Sequence, residues 1–269
     1  MDNDRTIELI NNLKDIPAMP NIIVRVLKLM HSETAGAPEL ASVIKCDQAM
    51  CTKMLSIINS AYYGFGRQIT SINMAISLLG LQKTKNIVVT VAMSPLLSFK
   101  GAKSLWEHSL LTAVGCEYMS EKYNLMNPDD AFVMGFMHDI GKLVLNLIDA
   151  ERYQSFLASK LPPDERIEDE RAKFDTDHSS TGSFLAVRWQ LPDVIKDAIR
   201  YHHYPLKAKE FQGPILVNLV NNLVQDNFEE PWFDKELAKM IKIQIENEDV
   251  IPLRNEILER GEMLIKELS

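Results

Sequence analysis

Five of the six histidines in this chain form an ordered series in the C-terminal two-thirds of the sequence. With the aspartate that follows one of them, the series is His108, His138, Asp139, His178, His202 and His203. Neutral imidazole and carboxylate groups are the side chains that bind divalent metals such as zinc, manganese and iron. Only His31 stands outside the series. The pattern predicts one shared polar site, assembled from several helices.

The dyad His138-Asp139 lies in an apolar-periodic segment that predicts a single helix over residues 129–147. Neighbours on a helix point about 100° apart, so both side chains reach one metal only if it lies over the edge between them. Lys142 follows His138 by four residues and is expected to share its face. A lysine there could hold a phosphate oxygen, and a solvated surface lysine is an equally good interpretation.

The other histidines lie near predicted helix ends. His178 follows Asp177, a predicted N-cap, and the positive field of a first helical turn favours a neutral ring. His202 and His203 end their helix, where the opposite field favours protonation unless a metal or a buried partner holds them. Taken singly, each histidine is more often a hydrogen-bonded core or surface residue than a ligand. Taken together, they favour a shared pocket.

Helix signals recur along the whole chain. In the first hundred residues they predict a short helix over 4–13, an N-cap at Asp47, another at Ser71, a stop at Gly80 and a long helix over 82–97. Residues 98–103 are predicted as a domain hinge, and the charged stretch 161–170 as a loop or frayed connection. The longer helices beyond the hinge are predicted over 105–123, 129–147, 178–190 and 193–203.

Composition limits the function classes. The chain has 46% hydrophobic and 25% charged residues, which is usual for a globular protein. Its formal net charge of −8 disfavours a nucleic-acid partner, which would need a basic surface. Three cysteines without metal-ligand spacing indicate idle thiols in a reducing compartment. No signal peptide or membrane-spanning run is visible, so we expect a cytoplasmic protein without a membrane partner.

Short sequence blocks occur over about residues 15 to 225. In the first half the blocks are IPAMP at 16–20, NSAYYG at 59–64, ITS at 69–71 and ISLLG at 76–80. In the second half they are WEHS at 106–109, FMHDIGK at 136–142, DH at 177–178 and WQLP at 189–192. Together these blocks resemble the HDOD domain, a bacterial signalling module related to the HD phosphohydrolases. The NSAYYG block is the specific one, since a lone His-Asp pair is common.

The resemblance implies an all-α fold, in which an N-terminal helical bundle over 1–98 packs on an HD-like helical domain over 99–269. It also implies a ligand set, because HD-GYP phosphodiesterases order their ligands as His, His-Asp, His, His-His, Asp. The residues that fit this order are His108, His138, Asp139, His178, His202 and His203, and Lys142 fits the lysine after the dyad. The implied cofactor is a divalent metal, namely Fe, Mn, Zn or Mg.

The chain departs from that pattern at the closing acid. Asn221 lines up where the aspartate would stand, and its carbonyl oxygen is a weaker ligand without negative charge. Asp226 is an alternative acid, although five residues further along a helix it faces another direction. The Gly-Tyr-Pro loop of HD-GYP enzymes is reduced to Tyr204-Pro205.

Two functions remain open. The first is a signalling module that keeps a metal-holding pocket and acts through protein partners or a small ligand. The second is a metal-dependent phosphohydrolase acting on a nucleotide or cyclic dinucleotide, in which Asp139 would anchor metal and Lys142 would bind phosphate. The ligand series favours the enzyme, whereas Asn221 and the HDOD-like first half favour the module. We favour the module.

Overall fold

In a computed structural model of the chain, the described residues are helix, turn or loop and include no strand, which confirms the all-α prediction. The described residues are Thr6, Ile10, 16–30, 36–60, 62–97, 99–157, 163–225 and 232–268. Most of the predicted helix over 4–13, together with His31, Ser98 and Asp226, lies outside them.

The chain divides into two compact units. One comprises Met1–Pro17 and Leu97–Leu258, and the other comprises Ala18–Leu96 and Glu259–Ser269. All the predicted site residues belong to the first of these units, which we call the histidine unit. The domain bounds expected from the sequence, and the packing of one half on the other, stay predictions.

The smaller unit is built from short helices with the predicted caps. Its helices are α1 (Asn21–Met30), α2 (Ala37–Lys45), α3 (Gln48–Ile58), α4 (Ile72–Leu79) and α5 (Leu81–Met93). The side chain of Asp47 accepts a hydrogen bond from the Met50 amide at 3.0 Å, and Ser71 caps α4 in the same way. Gly80, at φ 84°, ends α4. These three predictions are confirmed.

The helix predicted over 82–97 is shorter than expected. It ends at Met93 and continues as a 3₁₀ turn over Ser94–Leu97. Pro95 explains the change, because proline lacks the amide hydrogen of an α-helical bond and its ring collides with the preceding turn.

The histidine unit contains nine of the described helices, and the first of them is the longest. These are α6 (Ala102–Tyr123), α7 (Pro128–Met137), α8 (Gly141–Ile148), α9 (Ala150–Leu157), α10 (Pro163–Phe174), α11 (His178–Arg188), α12 (Asp193–Tyr201), α13 (Gln212–Leu223) and α14 (Lys235–Met240). A last helix, α15 (Asn247–Leu268), has residues in both units. Each predicted site residue lies on, or within two residues of, one of α6, α7, α8, α11, α12 and α13.

The prediction of a single helix over 129–147 is wrong, because a turn at residues 138–140 separates α7 from α8. Hydrogen bonds in this turn join residues three apart, as from the Lys142 amide to the Asp139 carbonyl at 2.9 Å. Such a 3₁₀ segment inside a helical stretch often marks a functional position. The dyad therefore lies in a turn, not on a regular helix face.

The turn is held by a close approach of α8 to α11. A Cβ atom on Gly141 would lie 1.9 Å from the His178 carbonyl oxygen and 2.5 Å from the Gly182 amide nitrogen. Only glycine fits at such a crossing. The Thr181 hydroxyl donates a hydrogen bond to the Gly141 carbonyl at 3.1 Å. This contact fixes the dyad beside His178.

The loop predicted over 161–170 is also wrong, because α10 covers most of it. The charges misled the prediction, since they occupy the exposed side of a helix. Ile167, Glu170 and Phe174 are buried and recur at three and four residues, which is the spacing of one helix face. Glu170 is thus a buried glutamate on the apolar face of α10.

Within the described residues, one helical stretch, Pro128–Ile148, is long and apolar enough to cross a membrane. Its most apolar window is 78% buried inside the protein. It contains the turn at 138–140 as well as α7 and α8. A core segment of a globular domain passes the same test, and the burial indicates such a segment here.

Candidate metal centre

The predicted residues converge on the carboxylate of Asp139. Its Oδ1 lies 3.2 Å from Nε2 of His178 and 3.8 Å from Nε2 of His202. The Nε2 atoms of His178 and His202 are 3.2 Å apart, and Nε2 of His203 lies 3.0 Å from that of His178. These three histidines, which we call the His178 group, could hold a metal ion.

The other oxygen, Oδ2, faces a second set. It lies 3.3 Å from Nε2 of His138 and 3.7 Å from Nε2 of His108. We call His108, His138 and Asp139 the His138 group, which could also hold a metal ion. Asn221 borders it, with Oδ1 2.9 Å from His108 Nε2. The predicted convergence is thus confirmed, while the roles of these residues as ligands stay predictions.

Lys142 lies at the site and contacts it through the central carboxylate. Nζ lies 2.5 Å from Asp139 Oδ2, the oxygen that also faces His138. The alternative of a solvated surface lysine is wrong, because the side chain is 13% exposed and ion-paired. Lys142 is therefore an ion-pair partner of the central carboxylate.

Backbone carbonyls fix two of the rings. Nδ1 of His138 lies 2.8 Å from the Gly135 carbonyl oxygen, and Nδ1 of His202 lies 2.9 Å from the Ile199 carbonyl oxygen. A carbonyl oxygen only accepts, so each Nδ1 carries the hydrogen and donates it. In the neutral ring, Nε2 then presents a bare lone pair to the site.

A residue that the sequence did not single out fixes the third ring. Glu170 Oε2 accepts hydrogen bonds from Nδ1 of His178 at 2.6 Å and from the His178 backbone amide at 2.8 Å. Glu170 is fully buried. A carboxylate behind a histidine in this way orients the ring and makes its free nitrogen more basic. The spacing of Ile167, Glu170 and Phe174 was the signal that could have found it.

This arrangement of side chains would be more stable with a bound cation than without one. Buried Nε2 lone pairs and a carboxylate face one another, and neighbouring acceptors without a hydrogen between them repel. Nε2 of His138 has no hydrogen-bond partner among the described residues, although it is buried. A divalent ion would accept these lone pairs, so this set of side chains fits a bound metal.

Burial keeps three of the histidine rings in the neutral form that binds metal. It lowers the pKa of His202 and of His203 well below the ordinary value, and the neighbouring rings lower it further. Burial, followed by the charge of His138, lowers the pKa of His108 to about 3. Desolvation thus outweighs the field of the helix end, which by itself would favour protonation of the His202-His203 pair.

The central carboxylate is kept ionised. Burial acts to raise the pKa of Asp139, but the charges of His138, Lys142 and His178 outweigh it and hold this pKa well below the ordinary value. Metal ligation requires neutral imidazoles and an ionised carboxylate. The environment favours these states for Asp139, His108, His202 and His203.

One side of the site is open to solvent. The side chain of His108 is 22% exposed and that of Lys142 13%, whereas those of His138, Asp139 and His178 are at most 2% exposed. A metal or small ligand would therefore enter past His108 and Lys142.

The sequence also matches a known protein family. A family model of the HDOD domain matches residues 16–205, well over half of the chain. The chain therefore belongs to the HDOD domain family, which confirms the resemblance seen in the sequence. An uncharacterized protein of Treponema pallidum (strain Nichols) is 25% identical in an alignment of 222 residues, which covers 77% of this chain and 41% of that protein. The chain thus spans less than half the length of this relative.

Solved structures show the same fold. An HDOD domain protein of unknown function from Geobacter sulfurreducens aligns with a TM-score of 0.74 and 23% identity, over 99% of this chain and 93% of that one. A Shewanella amazonensis protein, named a putative metal-dependent phosphohydrolase, aligns with a TM-score of 0.67 and 18% identity, over 100% and 99% of the two chains. At these identities the likeness concerns the fold alone.

Proposed function

We propose that this chain is a bacterial, cytoplasmic HDOD signalling module whose histidine unit holds a divalent metal and which acts through protein partners. The observation that carries the proposal is the set of bare Nε2 lone pairs around the ionised Asp139. The His178 group and the His138 group would supply the ligands, and Fe, Mn, Zn and Mg are the candidate ions. When bound, such an ion polarises a ligand or a water molecule and stabilises the site.

The chain's own residues define what the ion would do. The carbonyls behind His138 and His202 and the carboxylate of Glu170 orient the three rings, so the site is organised before metal arrives. Since Asn221 brings no charge to the position of a closing acid, the centre suits holding a ligand or a structural ion more than activating water.

A direct test measures metal in protein purified without added metal and without a histidine tag, together with phosphodiesterase turnover in Mn. We expect bound metal and little turnover. Asp139→Ala should lose the metal, because both ligand groups depend on that carboxylate. Asp193→Ala, which removes an exposed carboxylate, is the matched control and should keep it. Wild-type protein without metal would contradict the proposal.

A second candidate is a metal-dependent phosphohydrolase acting on a nucleotide or cyclic dinucleotide. The observation that favours it is the open side at His108 and Lys142, where a phosphate could approach the ion and the ammonium together. In this function Asp139 would anchor metal and Lys142 would bind phosphate. Mn-dependent turnover that disappears in both His138→Ala and Asp139→Ala would establish the enzyme and overturn the module.

Asn221→Asp is expected to raise the affinity of the centre for a divalent ion by about tenfold, or a kcal/mol or more. The change adds an anionic oxygen next to His108 without changing side-chain size. Stability without metal should hardly change, or should fall slightly through repulsion with Asp139. Calorimetric titration with Mn measures the affinity.

Asn222→Asp is the control for this substitution. Asn222 is equally buried on α13, but its side chain bonds to Asn218 and not to His108. Asn222→Asp should lose a similar amount of stability, because it also buries a charge, but it should not gain affinity for Mn. Equal Mn affinity in wild type and Asn221→Asp would show that Asn221 does not contribute to the centre.

A further inference from the structure

We infer that the ammonium of Lys142 takes the place of a second metal at the His138 group, so that the centre binds one divalent ion, at the His178 group. The inference rests on the proposed function, since it concerns where the metal sits. It assigns different roles to two sets of histidines that the sequence presents as one series.

Lys142 occupies the carboxylate oxygen that a metal at the His138 group would need. Lys142 Nζ lies 2.5 Å from Asp139 Oδ2, the oxygen that faces His138 and His108. A divalent ion would bind that oxygen at about 2.0–2.2 Å. The ammonium and the ion would therefore compete for one oxygen and repel each other. The other oxygen, Oδ1, faces the His178 group, whereas the ion pair of the lysine is with Oδ2.

Local structure holds Lys142 beside Asp139. Its side chain is 13% exposed and starts from the second residue of α8, directly after the turn that carries Asp139. The backbone amide of Lys142 also donates to the Asp139 carbonyl at 2.9 Å. The ammonium is thus delivered to Oδ2 by local structure, in contrast to a flexible surface lysine that folds onto a carboxylate from solvent.

Negative charge is distributed unequally between the His138 group and the His178 group. At the His138 group, Lys142 offsets Asp139, and the neighbouring amide of Asn221 adds no charge. At the His178 group, Glu170 adds a second carboxylate through its hydrogen bond to His178. A divalent ion is stabilised by nearby anions, so the His178 side is the favoured position.

The experiment counts Mn ions bound per chain after equilibrium dialysis of metal-free protein. We expect one ion in wild type and two in Lys142→Met, which keeps the length of the side chain and removes its charge. Lys196→Met is the matched control, because it removes another partly exposed lysine that pairs with an aspartate three residues away. It should stay at one ion.

Two histidine variants decide the position of the wild-type ion, and they do so even if Lys142→Met fails to fold. His203→Ala should lose the ion, whereas His108→Ala should keep it, because His108 belongs to the group that the lysine occupies. Two ions in wild type, loss of the ion in His108→Ala, or a single ion in folded Lys142→Met would overturn the inference while leaving the metal centre intact. No ion in wild type would instead contradict the proposed function, and the inference with it.

Discussion

Gly141→Ala is expected to lower the free energy of unfolding by about 3 kcal/mol or more and to weaken metal binding strongly. The added Cβ would lie 1.9 Å from the His178 carbonyl oxygen and 2.5 Å from the Gly182 amide nitrogen. Both are backbone atoms, so the collision is relieved only by moving α8 away from α11. That movement separates Asp139 from His178, which now lie 3.2 Å apart at Oδ1 and Nε2.

Urea unfolding and Mn titration of the same samples measure the two effects. Gly66→Ala is the control, because a Cβ there would meet no atom within 4 Å. We expect it to change the unfolding free energy by less than about 1 kcal/mol. If the two variants unfold alike and bind Mn alike, α8 and α11 do not make the close crossing on which the site depends.

The sequence was sufficient for those parts of the site that depend on residue type and local signals. The caps at Asp47 and Ser71 form as predicted, because such caps involve only residues a few positions apart. The histidine series converges as predicted, since imidazole and carboxylate groups in this number are hard to bury except against one another or a cation.

The errors arose where tertiary packing overrides local pattern. Apolar periodicity continues through residues 129–147, so nothing local shows the turn at 138–140, which depends on Gly141 meeting α11. The ion pair between Lys142 and Asp139 was missed for the same reason, because the positions of both side chains were counted on a straight helix.

Glu170 was missed for a different reason. Its segment, with a proline at the start and many charges, has the composition of a loop, and its apolar face consists of few residues. Only knowledge of what α10 packs against shows that one of its glutamates is buried behind His178. A carboxylate that acts through another ligand leaves no motif of its own, since its partner lies eight residues away on another helix.

Glu170→Gln is expected to lower metal affinity by roughly 10- to 100-fold, the usual effect of removing a hydrogen-bonding partner of a metal-binding histidine. Glutamine keeps the size of the side chain, and its carbonyl oxygen still accepts a hydrogen bond from His178. The negative charge is lost, however, so Nε2 of His178 becomes less basic and the His178 group loses its second carboxylate.

Mn titration measures the loss of affinity, and urea unfolding of the metal-free proteins separates it from a general loss of stability. Glu168→Gln is the matched control, since it makes the same change on the exposed side of α10, where the side chain is 67% exposed and pairs with Arg171. We expect it to bind Mn like wild type. If Glu170→Gln also binds Mn like wild type, the buried carboxylate only supports α10, and the metal does not depend on the ring of His178.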